Sequence, residues 1–343
     1  MTAAPSASYN LVVDLGGTRL RAALTDDSPR LLARVEEATD HARGAAGVTD
    51  QIARMARSLV DGSGLSWEAL GRLVIASPGP LDGKTGVVFS PPNMPGWTTV
   101  PLRAWLEERL GLPVKVVNDA NAAAVGELHF GAGRGKANLV YLTVSTGIGG
   151  GVVVEGKLLE GTSGTAGEIG HMTIDRHGPI CRCGNVGCLE MLASGTAIAR
   201  RYREALLDNG QRLVSQLGSQ PEVTAADVAR GAAAGDALAA SVFADAAEAL
   251  GTGVVNCIHI FNPDVVALGG GVTRAGPLLF EPVRRAVARY AFPIPRDAVE
   301  IVPAVLGEDA GLLGAAAIAV EPGASGDGTT TERDNARSNL KDG

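Results

Sequence analysis

Residues 161–190, GTSGTAGEIGHMTIDRHGPICRCGNVGCLE, constrain the fold of this chain more than any other stretch. Three of the four cysteines, Cys181, Cys183 and Cys188, fall within eight residues, and His171 stands ten positions before the first. Thiolate and imidazole are the donors zinc prefers, and four of them close a tetrahedral site. The C-x-C-x4-C spacing with one remote histidine is not that of a zinc finger, which uses paired C-x-x-C and H-x-x-x-H units. The plain alternative is three reduced loop cysteines, but buried structural cysteines are usually scattered along a chain. Glu168 lies three residues before His171, and Glu190 two residues after Cys188. A metal that pins this loop also pins those two carboxylates, which suits a polyhydroxylated ligand in need of acceptors.

The rest of the composition narrows the class. The chain has 343 residues, enough for two ordinary domains. Its formal charge of −7 and the lack of a basic run disfavour a nucleic-acid surface. The start, MTAAPSASYN, has no charged n-region and no apolar core, and no window reads as a membrane span. With three cysteines claimed by a metal, the chain fits a reducing cytoplasm.

Taken in order, the chain alternates strands and helices, which argues for α/β layering. NLVVDL (10–15) and LRAAL (20–24) read as a hairpin around GGT, and 44–60 as an amphipathic helix. LVIASPG (73–79) is a strand, 82–97 a looped stretch, LRAWLEERL a helix stopped by Gly111, and VKVVND (114–119) a strand running into a helix. A second pass begins with NLVYLTVS (138–145), turned by TGIGGG and returned by VVVEGKLL. The strand–glycine turn–strand unit therefore occurs twice, as expected of two similar half-folds. Helices follow over 194–210, from the capping box TAAD (224–227), and over 235–260. VVALGGGV (265–272), a helix, VEIVPAVL and a last helix, 309–320, complete the ordered part. The tail 321–343 has too little apolar surface to fold and is expected to be disordered.

Three glycine clusters follow apolar strands: Gly16-Gly17, Gly147 with Gly149–Gly151, and Gly269–Gly271. None fits a Walker A loop or a G-x-G-x-x-G fingerprint, and each alone reads as a hairpin turn. Three together, accompanied by Thr18, Ser145 and Thr146, point to a nucleotide cleft. Asp14, just before the first cluster, reads either as a turn carboxylate or as a group orienting magnesium through water. Asn118-Asp119 ends a strand and opens a helix, so an N-cap is the plain reading. The functional reading makes Asp119 a general base toward a hydroxyl nucleophile.

DLGGT (14–18), SPGPLDG (77–83), PPNMPGW (91–97), NDANAAAVGE (118–127), STGIGGGVV (145–153), GTSGTAGEIGHM (161–172), CRCGNVGCLE (181–190) and ALGGGV (267–272) together resemble the ROK family of sugar kinases and repressors, over about residues 10–320. Within it the chain is most similar to bacterial ATP-dependent glucokinases. The resemblance implies an actin-like ATPase fold, two ribonuclease-H-like α/β domains flanking a cleft. The implied small domain is 10–126 with helix 309–320 packed back on it, and the large one is 127–308 with the zinc loop 171–188. It implies phosphates held by the DLGGT and STGIGGG segments, through Gly16, Gly17, Thr18, Thr146, Gly147 and Gly149, with Asp14 beside them on the cofactor side and Gly269, Gly270 and Gly271 bordering the adenosine. Glucose or a related hexose would meet Gly79, Asn118, Asp119, Glu168, His171 and Glu190, and Asp119 would be the base for its 6-hydroxyl. His171 would bind structural zinc through one ring nitrogen and the sugar through the other. ATP with magnesium is implied, and members often form dimers or tetramers.

Arg19 stands where many relatives carry Lys, which keeps the charge. His177 is a competing donor inside the metal loop, but the family pattern favours His171. The rival from another class is a sugar-responsive repressor, for which only about ten residues precede DLGGT, too few for a DNA-binding domain. Closer rivals phosphorylate N-acetylmannosamine, N-acetylglucosamine, fructose or allose.

Overall fold

A computed structural model describes residues 9–208 and 223–321. The expected tail beyond Glu321, and residues 209–210 of the expected helix, lie outside the described residues. The first half runs β1 (Tyr9–Leu15), β2 (Arg19–Asp26), β3 (Leu31–Ala38), α1 (Gly44–Ser63) and β4 (Leu70–Ser77). A small ribbon follows, β5 (Leu81–Asp82), β6 (Val87–Phe89) and β7 (Thr99–Val100), then α2 (Leu102–Leu110), β8 (Val114–Asn118) and α3 (Asp119–Phe130). The second half runs β9 (Leu139–Val144), β10 (Ile148–Val154), β11 (Lys157–Leu158), the cysteine loop, α4 (Leu189–Ala193), α5 (Gly195–Asp208), α6 (Ala225–Ala233) and α7 (Ala237–Phe261). It closes with β12 (Val265–Gly269), α8 (Pro277–Tyr290), α9 (Pro293–Ala298), β13 (Glu300–Pro303) and α10 (Ala310–Val320).

The two glycine-turned hairpins head two sheets of the same design. Their orders are β3-β2-β1-β4-β8 and β11-β10-β9-β12-β13. In each, the hairpin is antiparallel and the last three strands are parallel. Parallel strands covered on both faces read as apolar runs, and their alternate residues serve two cores. On β1, Leu11, Val13 and Leu15 join a core under α1, while Val12 faces the other way. On β9, Val140, Leu142 and Val144 join a core with α7 and α8, while Leu139 and Tyr141 face back. Each fully buried aliphatic side chain contributes roughly 2 kcal/mol.

Between the sheets lie α3 and α10, both alanine-rich and packed on each other and on β1 and β4. Small residues let these helices touch backbone to backbone. A Cβ at Gly126 would stand 2.5 Å from Ala310 O, and one at Gly314 would fall on Ala122 O. Glu127 of α3 is wholly buried. Its Oε1 accepts from Val305 N–H and Leu306 N–H, both 2.9 Å away, and its Oε2 from Ala132 N–H at 2.8 Å. That carboxylate ties the chain just before α10 to α3.

Four local expectations need correction. Strand β3 is a further strand, amphipathic and at the sheet edge, with Arg34, Glu36 and Glu37 among its residues. The stretch 82–97 is not all loop, since β5–β7 pair within and beside it. Gly149–Gly151 lie on strand β10, and the turn itself is Ser145–Gly147. Finally, α7 is long and apolar enough to cross a membrane by length and composition alone. Here Val242, Phe243, Leu250, Val254 and Ile258 of α7 are buried in the second core.

Candidate active site

The carboxyl ends of the parallel strands of the first sheet form one floor. Register sets Asp14 of β1 beside Ala76 of β4, and Ser77 of β4 beside Asn118 of β8. Ligands of open α/β sheets bind at such ends. Asn118 is the N-cap of α3, its Oδ1 accepting from Ala120 N–H at 2.9 Å and Asn121 N–H at 3.2 Å. The cap reading therefore belongs to Asn118, and it leaves Asp119 on the first turn with its carboxylate in the cleft. Asp119 accepts from Ala120 N–H at 2.8 Å. Its side chain is open to solvent, yet protein surrounds it closely. That burial, with the charges of Asp14 and Glu168 nearby, pushes its pKa up to about 6. A carboxylate with such a pKa is a better proton acceptor at neutral pH than an ordinary aspartate. Gly79 lies alongside, where an added Cβ would stand 3.1 Å from Asn118 Nδ2.

Asp14 is held by Arg21, whose Nη1 lies 3.1 Å from Asp14 Oδ2. Burial pushes the Asp14 carboxyl up, and the guanidinium partly offsets it. Arg21 also reaches Glu308 Oε2 at 2.6 Å, just before α10. Arg19 pairs with Glu36 Oε1 at 3.3 Å and with Glu308 Oε2 at 3.5 Å on the exposed edge.

Opposite this floor, a single 3₁₀ turn, Ile169–His171, presents Glu168 and His171. The Nδ1 of His171 lies 3.6 Å from Cys181 Sγ, and Cys183 Sγ lies 3.7 Å from Cys188 Sγ. The four donor atoms all lie within 4.8 Å of one another. A tetrahedral zinc with Zn–S bonds of about 2.3 Å separates two sulfurs by about 3.8 Å, so these donors fit that ion in type, number and spacing. Burial pushes the Cys188 thiol up to about 12, so a cation is what would hold it as thiolate. His177 is exposed and outside the cluster, its N–H donating to Asp175 Oδ1.

The remaining glycine segments meet at the second sheet. Ser145 O accepts from Gly195 N–H at 2.7 Å, and Thr146 O accepts from Thr196 Oγ1 at 2.8 Å, so the start of α5 holds the Ser145–Gly147 turn. Glu190 Oε2 accepts from Ile148 N–H at 2.9 Å, tying the end of the cysteine loop to the same turn. Gly269 ends β12. Gly270 has φ of 86° and packs against the Val144 backbone, a position few other residues tolerate. Gly271 follows, its Cβ position 3.9 Å from Ser145 Oγ. Gly149 serves close packing, since a Cβ there would stand 3.1 Å from the Ala120 methyl at the start of α3.

A sequence model of the ROK family matches residues 10–321. The chain belongs to the ROK family. A glucokinase of Thermotoga maritima is 42% identical over 313 residues, 90% of this chain and 96% of that protein. Among solved structures, a ROK hexokinase from Thermus thermophilus matches with a TM-score of 0.76 at 39% identity, covering 90% of this chain and 97% of that one. A ROK family glucokinase from Streptomyces griseus, solved in complex with glucose and AMPPNP, matches with a TM-score of 0.72 at 34% identity, covering 90% of this chain and 98% of that one. This ROK chain accordingly has the actin-like ATPase fold, two ribonuclease-H-like α/β domains flanking a cleft.

The structure also brings residues to the site of this ROK protein that the sequence did not single out. Asn121 is 3% exposed, its Oδ1 has no hydrogen-bond partner among the described residues, and it lines a cavity with Leu81, Asn118, Thr165 and Glu168. Its only signal was its place inside the NDAN segment. Thr39 Oγ1 donates to Gly16 O at 2.7 Å, and His41 Nε2 lies 2.6 Å from Gly17 O. No motif marked either.

Proposed function

We propose that this ROK protein is an ATP-dependent glucokinase, transferring the γ-phosphoryl group of Mg-ATP to the 6-hydroxyl of glucose. The observation that carries the reading is Asp119, a cleft carboxylate with its pKa pushed up to about 6, set at the start of α3 between the glycine turns and Glu168. Its likeness to glucokinases over nine-tenths of the chain supports the substrate.

In the proposed reaction Asp119 takes the proton of the sugar 6-hydroxyl as the new O–P bond forms, the bond from the γ-phosphorus to the bridging oxygen breaks, and ADP leaves. Such transfer depends on positioning and charge neutralisation. Asn118, Glu168, His171 and Glu190 hold the sugar hydroxyls, with Gly79 against the ring. The turns Gly16–Thr18 and Thr146–Gly147, with Gly149 beside them, face the phosphates, and Gly269–Gly271 border the adenosine. Asp14 orients the magnesium, which supplies charge neutralisation at the phosphates when bound. His171, Cys181, Cys183 and Cys188 hold a structural zinc that fixes the Glu168–His171 turn. The proposed small domain is 10–126 with 309–320, and 127–308 the large one, closing on both substrates to exclude water. We place the enzyme in the cytoplasm as a dimer or tetramer.

An ADP-release assay with Mg-ATP and a panel of glucose, fructose, allose, N-acetylglucosamine and N-acetylmannosamine tests the reading. Fastest turnover on glucose is expected. A preference for another of these sugars would move the substrate and keep the chemistry. No turnover on any would overturn the proposal.

A further inference from the structure

The Gly16–Thr18 turn is gripped from one side in an unusually complete way. Gly16 N–H donates to Arg19 O at 2.9 Å, which closes the turn. Three successive carbonyls then go to one neighbouring segment. Gly16 O accepts from Thr39 Oγ1 at 2.7 Å, Gly17 O is met by His41 Nε2 at 2.6 Å, and Thr18 O accepts from Thr39 N–H at 3.0 Å. A carbonyl oxygen only accepts, so His41 carries its proton on Nε2. Its Nδ1 is buried, with no partner among the described residues.

In a trans peptide the C=O and the following N–H point in opposite directions. Holding the Gly16 and Gly17 carbonyls toward Thr39 and His41 therefore aims the N–H groups of Gly17 and Thr18 to the other side. Among the described residues neither N–H has an acceptor, and Thr18 is exposed. Two adjacent outward N–H groups form a concavity for an anion. The gripping segment is itself fixed by Gln51 of α1, 7% exposed. Gln51 Nε2 donates to Ala38 O at 2.8 Å, and its Oε1 accepts from Asp40 N–H at 3.0 Å. On the far flank a Cβ at Gly17 would stand 2.5 Å from Asn93 O, so the turn cannot shift that way freely.

We infer that Thr39 and His41 are positioning residues for nucleotide phosphate, locking the Gly16–Thr18 turn so that the Gly17 and Thr18 N–H groups are presented to the anion. The inference rests on the proposed kinase reading of that turn. It is tested by calorimetric titration of the full-length chain with AMPPNP and, separately, with glucose, for wild type, His41→Leu, His41→Gln and Thr39→Val. His41→Leu and Thr39→Val each remove one hydrogen bond and are expected to weaken AMPPNP binding by about tenfold. Glucose affinity, read at a separate site, is expected to stay within about twofold. His41→Gln keeps an N–H donor at a similar reach and is expected to recover most of the loss. Unchanged AMPPNP affinity in both His41→Leu and Thr39→Val would overturn the inference, as would equal losses for AMPPNP and glucose. Failure of the kinase reading shows differently, as a wild-type chain without hexose-dependent ADP release, while the AMPPNP titrations still decide the role of the clamp.

Discussion

His171 turns its Nε2 toward Glu168 Oε2, 3.9 Å away. Its other ring nitrogen faces Cys181 Sγ, so one imidazole joins the cysteine cluster to the carboxylate of the proposed sugar site. A metal on Nδ1 would leave the proton on Nε2 and fix the ring plane, as ligand pairs of this kind do. Stripping the metal with a chelator is therefore expected to weaken glucose binding by about 10–100-fold, with recovery on adding zinc. Calorimetric titration with glucose before and after chelation checks this. Unaltered affinity in metal-free protein would separate the two sites.

Asp119 should leave a mark on the pH profile of turnover. Its pKa is pushed up to about 6, chiefly by burial. A general base works only when ionised, so under the proposed role kcat/KM is expected to fall as pH drops through about 6, tenfold per pH unit below it. Initial rates from about pH 5 to about pH 8 at low glucose read this directly.

The same group makes a prediction about stability. Its folded-state pKa lies above the ordinary aspartate value, so the folded protein binds the proton more tightly than the unfolded chain. The associated stability is fully present at low pH, below the unfolded value, and is lost as pH rises through about 6. At neutral pH the ionised side chain costs stability. Asp119→Asn is expected to unfold at or above the wild-type temperature at neutral pH, with that advantage shrinking toward pH values below the folded pKa. Thermal melts of both proteins across this range are the check, and a variant less stable at neutral pH contradicts the assignment of the strain to the charge.

Glu127 carries a separate structural load. It receives three backbone N–H groups from Ala132, Val305 and Leu306. Glu127→Ala would leave three donors unpaired near α10 and is expected to cost about 3 kcal/mol or more. Glu127→Gln keeps an acceptor and should cost less. Denaturant unfolding of the two variants gives the comparison, and an alanine variant as stable as wild type would show that water replaces the carboxylate.

Much of this was legible in the chain because chemistry at fixed spacing leaves a mark. The cysteines, His171 and Asp119 are residue types with few alternative uses in such patterns, and the repeated strand–turn–strand unit gave the two matching sheets. Strand β3 escaped because an edge strand needs apolar residues on one face only. The glycines of β10 looked like a turn because glycine is depleted in strands. They belong there because α3 and the Gly167–Ile169 segment press on both faces, as Gly149 against Ala120 and Gly150 against Gly167 O show. Thr39 and His41 were invisible for a different reason, and Asn121 carried only the weak signal of its place in the NDAN segment. Their roles come from tertiary contacts by ordinary polar residues, such as His41 reaching Gly17 across 24 positions, and no local pattern encodes such a meeting.

Asp119 is proposed to accept the proton of a glucose hydroxyl during phosphoryl transfer. The most direct test is phosphorus NMR of glucose incubated with Mg-ATP and either wild-type protein or Asp119→Asn, with folding of both verified by thermal melts. Glucose 6-phosphate and ADP are expected from the wild type, and a rate lower by about 10²–10⁴-fold from a variant that is equally folded. Glucose 6-phosphate formed at a similar rate by both proteins, or none formed by the wild type, would contradict it.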